Sequence, residues 1–188
     1  MTAMSDVGAP PWSVRVISEL SSADERAISV VTGLTSQELN WKSHPARWSI
    51  GQCIDHLLVS NTVYCPAISK ALEGQQHGRV DEISPGRFGQ WFIYNYIESS
   101  GTTKPRRAPR KITPGSQVDP SVLDRFLQSN QTARELLRRA ASYDVNRIRF
   151  RNPFVPLIHF TVGTGFEILW KHQQRHLLQA ERIRAMLS

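Results

Sequence analysis

Apolar residues recur at three- and four-residue steps in four stretches of the chain, the spacing of one buried helix face. The first stretch runs from about Ser13 to Thr32 and places Ile17, Leu20, Ala27, Val31 and Leu34 close together, with Gly33 as a stop. The second opens at Ser49, with Gln52 three residues later, the pattern of a capping box. Its stripe is Ile50, Ile54, Leu57, Leu58, Tyr64, Ile68 and Leu72, and it ends near Gly74. The third begins at Asp119-Pro120, an N-cap followed by proline at the first helical position, and buries Leu123, Phe126, Leu127, Ala133, Leu137 and Ala140 before stopping around Ser142. The fourth, from about Gly165 to Leu187, carries Phe166, Leu169, Trp170, Leu177, Ala180, Ile183 and Leu187. The pattern predicts an all-α chain, a four-helix bundle with a long crossover connection between helices two and three.

The connecting segments follow from what breaks the pattern. Residues 1–11, ending in Pro10-Pro11, read as a flexible leader, and 12–188 as a single domain. Thr35 to Glu38 can cap a short turn between helices one and two. Residues 75–118 are the least regular part, with an aromatic cluster over 86–99 that predicts a short helix or a packed loop. In helical bundles, connections of this length join helices that are not antiparallel neighbours. The segment RIRFRNPFVPLIHFTVGTG alternates at its start but holds too many prolines to be expected in a sheet.

Composition narrows the class. At 188 residues, 40% of them hydrophobic and 21% charged, the chain can bury a substantial core. The start has no apolar run of the signal-peptide kind, and no stretch approaches the roughly 18 apolar residues of a membrane span, so a cytoplasmic protein without membrane contact is expected. Cys53 and Cys65 share one predicted helix and are separated by roughly 18 Å at about 1.5 Å per residue, too far for a disulfide. The net charge is +7, and a dense part of it is KPRRAPRK, 104–111. Such a run can attract an anion, yet no recognition helix or spaced aromatic platform accompanies it, so nucleic acid is not an expected partner.

Helix four holds the chemistry. His172 and His176 are four apart, which on a helix sets their Cβ atoms about 5–6 Å apart on one face, able to point at one metal ion. The residues between them are Gln173, Gln174 and Arg175, so the Glu of the zinc-protease HExxH helix is missing. A catalytic zinc commonly takes three protein ligands and keeps a position for water. Of the other histidines, His44, His77 and His159 fall in connectors, while His56 sits on helix two. His56 therefore leads as the third ligand, although it lies off the centre of that helix's apolar stripe. Cys53, one turn earlier, is a candidate fourth ligand that would close the site; a helix-buried cysteine otherwise serves as a small apolar residue.

Two segments carry a family resemblance. WSIGQCIDHL, 48–57, resembles the Trp-Ser/Thr to His-Leu signature of the DinB/YfiT-like metalloenzymes, and HQQRHLLQAERI, 172–183, resembles that family's second signature, a His-x3-His helix near the C-terminus. APRKITPG and RNPF are similar to segments of its DinB_2 branch. The resemblance implies a four-helix bundle with a three-histidine zinc or nickel site at His56, His172 and His176, and a homodimer. It also implies a metal-dependent hydrolase or a thiol S-transferase that uses a low-molecular-weight thiol and a small-molecule substrate. The other class open to the sequence is a non-catalytic bundle, a binding or stress-associated protein whose histidines are vestigial or structural.

Overall fold

A computed structural model describes residues 8–98, 112–155 and 157–187. Most of the expected leader, up to residue 7, and the basic run 104–111 lie outside the described residues. The chain is mostly helical. In order it forms α1 (Pro11–Val31), the single turn α2 (Ser36–Leu39), α3 (Ile50–Ala71), α4 (Gly86–Phe92) continued by a π-helical turn (Ile93–Ile97), α5 (Val122–Ala140), strands β1 (Arg149–Arg151) and β2 (His159–Thr161), and α6 (Val162–Arg184).

Local chemistry sets the boundaries. Both capping boxes form: Thr35 with Glu38 starts α2, and Ser49 with Gln52 starts α3, where the Gln52 N–H donates to Ser49 Oγ at 3.1 Å and the Ser49 N–H to Gln52 Oε1 at 3.2 Å. Gly33, at φ +78°, turns the chain after α1. Three expected boundaries move. Helix one begins two residues early, because Pro11 fits the first helical turn. Asp119 does not cap helix three directly; its Oδ1 accepts from the Ser121 N–H at 2.9 Å in a side-chain turn, and α5 starts at Val122. Helix four starts at Val162, capped by Thr161, three residues before Gly165. At Gly165, where the sequence pattern started the helix, a Cβ would come within 2.8 Å of the Phe150 ring. It is a point of close approach inside the helix.

The expectation of an all-α chain without sheet is corrected by the β1–β2 hairpin. The strands pair antiparallel with Arg149 opposite Thr161, Phe150 opposite Phe160 and Arg151 opposite His159. Neither three-residue strand contains a proline, so the prolines between them do not interrupt the ladder. Phe150 and Phe160 turn inward.

The four long helices pack in a ring, α3 against α5 and α6, and α1 against the same two. Their directions can be read from side-chain pairs. Arg15–Glu167, Glu19–Gln174 and Arg26–Glu181 ascend together, so α1 and α6 are parallel. Asp55–Arg125, Asn61–Asn130 and Ser69–Arg139 do the same for α3 and α5. Parallel neighbours joined in sequence need a connection that travels the helix length, which accounts for the long segment between Ala71 and Val122. The apolar core forms two clusters. One holds Trp12, Leu20, Tyr64, Ile68, Leu137, Phe150, Phe160 and Phe166; the other holds Ala27, Ile50, Leu57, Phe126, Leu177 and Ala180. Between them each long helix contributes one polar residue: Asp24, Asn61, Asn130 and Gln173.

Candidate metal centre

His56 stands in the second turn of α3, whose start is fixed by the Ser49–Gln52 box, and His172 and His176 stand one turn apart on antiparallel α6. The three rings form a near-regular triangle with centroids 4.6–4.8 Å apart, each pair edge to face at 65–77°. One ligand atom from each lies within 4.8 Å of the others, and His56 Nε2 is 3.0 Å from His172 Nε2. His56 and His176 are buried, and His172 is half-buried. The sequence put His56 off its helix's apolar stripe; the structure buries it because α3 is covered on two sides, by α5 and by α6.

Hydrogen bonds select the free ring nitrogen. His56 Nδ1 lies 2.7 Å from the carbonyl oxygen of Ile112, which can only accept, so Nδ1 carries the proton and Nε2 keeps its lone pair. His176 Nδ1–H donates to Gln179 Oε1 at 3.2 Å, with the same result. Ile112 is itself held: the segment after it runs back along the start of α3, where Gln52 Nε2 donates to the Gly115 carbonyl at 2.7 Å and Asn40 bonds both backbone groups of Val118. Burial is the largest influence on all three imidazoles and pushes each below the usual histidine value; on His172 and His176 the fall is large. Repulsion from neighbouring histidines and from the Arg175 guanidinium adds to it, while the hydrogen bonds to Ile112 and Gln179 oppose it.

This donor set fits a divalent ion of the zinc class. Metal-bound imidazole must be neutral, and these three are held neutral. Ligating histidines usually donate their other N–H to a carbonyl or side chain, as His56 and His176 do. In tetrahedral zinc sites with Zn–N near 2.0–2.1 Å, ligand nitrogens sit roughly 3.3–3.4 Å apart, close to the separation of the His56 and His172 nitrogens. Cys53 is not part of the group: it is fully buried among the apolar residues of the second cluster, where burial pushes its thiol up to about 12. The remaining histidines lie elsewhere. His44 Nδ1 accepts from the Ala46 N–H, His77 stacks on Tyr143, and His159 is exposed on β2 rather than in a loop.

Several partners of the site escaped sequence reasoning. The Trp48 ring packs against His56 and His176 with centroids 4.7 and 5.5 Å away, forming an apolar wall. It opens the signature segment 48–57, but nothing in that segment said what its ring would touch. The Ile112 carbonyl is a backbone group and leaves no mark on the side-chain pattern. Arg175, between the two α6 histidines, donates to the carbonyls of Tyr96 and Ile97 and so ties the π-helical turn to this helix.

The fold and the site together define a class: helical proteins that gather three histidines from two antiparallel helices into a candidate metal centre. The model of the DinB superfamily matches residues 19–180, well over half of the chain, and the protein belongs to that superfamily. No curated protein sequence matches the chain.

Proposed function

We propose that this protein is a metal-dependent enzyme in which His56, His172 and His176 hold one divalent ion, zinc or nickel, on a four-helix bundle of α1, α3, α5 and α6. The observation that carries the reading is the convergence of three neutral imidazoles, two with their Nδ1–H groups tied to fixed acceptors. A divalent ion bound by neutral ligands keeps its full charge and lowers the pKa of a water or thiol beside it. No carboxylate joins the histidine group among the described residues. With no adjacent protein base, a coordinated thiol is deprotonated outright, whereas bound water falls only to about 7. Trp48 shields one side of the rings from solvent, and the Arg175 charge favours an anionic nucleophile there. The reaction proposed is therefore transfer of a low-molecular-weight thiol to an electrophilic small molecule, with hydrolysis by activated water as the second reading of the same donor set.

Metal content of the untagged protein, followed by parallel assays of thiol conjugation and ester or amide hydrolysis, tests this. The expected result is about one divalent ion per chain and thiol consumption that stops on chelation. Protein that retains no ion, even after incubation with zinc or nickel, overturns the reading and leaves a non-catalytic bundle. Sedimentation of the same sample tests the homodimer that the family resemblance implies.

A further inference from the structure

The core of this protein is divided by a polar layer that its apolar clusters do not need. Asn130 on α5 is fully buried, and Asn61 on α3 and Gln173 on α6 nearly so. Their amides form one connected set. Asn61 Nδ2 donates to Asn130 Oδ1 at 2.8 Å, Gln173 Nε2 donates to Asn130 Oδ1 at 2.7 Å and to Asn61 Oδ1 at 3.2 Å, and Asn130 Nδ2 donates to Gln173 Oε1 at 3.2 Å. Asn130 Nδ2 also donates to Asp24 Oδ1 at 2.6 Å, and Asp24 Oδ2 pairs with Arg134 at 2.5 Å. A carboxylate only accepts, so Asp24 dictates which way the Asn130 amide faces, and Asn130 then dictates the orientation of the other two. No buried side-chain nitrogen or oxygen among the described residues lacks a partner.

Buried polar sets of this kind contribute little net stability, since well-packed apolar replacements are often neutral or stabilising. Their best-attested use is to fix register. Register is what the histidines require. His172 is the residue before Gln173, and His56 is little more than one turn before Asn61. Sliding α6 by one turn, about 5.4 Å, would still bury apolar residues at both ends, because the clusters above and below are both apolar. It would also leave only one of His172 and His176 beside His56, because the two stand one turn apart, and would break the three-ring set, whereas metal–ligand distances tolerate only about 0.2 Å.

We propose that Asn61, Asn130 and Gln173 are positioning residues for the histidine centre: the amide layer locks α6 against α3 at the one register in which three imidazoles meet. This rests on the metal-binding reading above. The test replaces all three amides together, Asn61→Leu, Asn130→Leu and Gln173→Met, so that none of the three is left facing an unpaired amide. Zinc affinity is read by chelator competition, and site geometry by the visible spectrum of the cobalt(II) form. The expected result is unchanged helicity and equal or greater resistance to urea, with zinc affinity about 10–100-fold weaker, as for loss of an outer partner of a metal ligand, and a cobalt spectrum weakened or split. Phe166→Ala, which destabilises the opposite core cluster, should leave both metal readouts where they are and so separates positioning from general loss of stability. If the triple variant does not fold, Asn130→Ala, on a helix that bears no histidine of the centre, is read the same way. A folded variant with wild-type affinity and spectrum overturns this proposal alone; a wild-type protein that binds no metal overturns it together with the reading it rests on.

Discussion

Helix α6 has two seams, and they are built from different materials. Against parallel α1 it is stitched by charged pairs: half-exposed Arg15 with buried Glu167, and partly exposed Arg26 with Glu181, where Nε and Nη2 meet the two carboxylate oxygens at 2.6 and 2.9 Å. Against antiparallel α3 it presents neutral groups, the histidine triangle and Gln173, most of them out of water. The arginines of the first seam keep contact with water and can rearrange cheaply, so they tolerate imprecision. Groups at the second have lost water and must find their protein partners, so small displacements there are expensive. The seam that needs accuracy is the one from which charge is excluded.

The largest expected effect lies on the second seam. His56→Ala, His172→Ala or His176→Ala should each weaken zinc binding by more than about a hundredfold, beyond the usual loss of an outer partner, while His44→Ala, His77→Ala and His159→Ala leave the titration unchanged. Next comes packing. Leu57→Ala or Leu177→Ala, both fully buried beside the centre, should cost about 2–5 kcal/mol in urea denaturation. Acid should separate the seams further. The three imidazoles titrate below the usual value of about 6.5 in the folded protein. The unfolded chain therefore binds more protons once pH falls through 6.5, and metal-free stability should decline from there down to the folded values. Replacing His172 by Gln removes one such group, and the loss between pH 7 and pH 5 should shrink. Smallest of all, Arg26→Ala on the first seam should cost no more than about 1 kcal/mol, less in high salt, and should not move metal affinity.

The long helices were legible because a 3.6-residue period in apolar residues reports burial directly. The candidate histidines were legible too: His172 and His176 by being four apart on one predicted helix, His56 by being the histidine placed on another long helix. The polar layer was not, although it left a trace. Each apolar stripe has a gap of one turn: after Leu20, between Leu58 and Tyr64, between Leu127 and Ala133, and between Trp170 and Leu177. Asp24, Asn61, Asn130 and Gln173 fill those gaps. Periodicity counts such residues as interruptions, and only their alignment at one level across four helices reveals them as core. The hairpin escaped for a related reason: the alternation at the start of its segment is brief, and the neighbouring prolines argue against a strand.

Trp48 has a consequence for observation rather than for binding. Among the described residues its ring packs on the histidine triangle, whereas Trp12, Trp91 and Trp170 have ring and cation contacts elsewhere. Its indole is therefore a native optical probe, and an ion arriving at the triangle enters its excited-state surroundings. A paramagnetic ion such as nickel(II) should dim its fluorescence, whereas closed-shell zinc(II) should change it mainly by altering the neighbouring imidazoles. Occupancy can then be followed in the unlabelled protein, with Trp48→Phe as the blank.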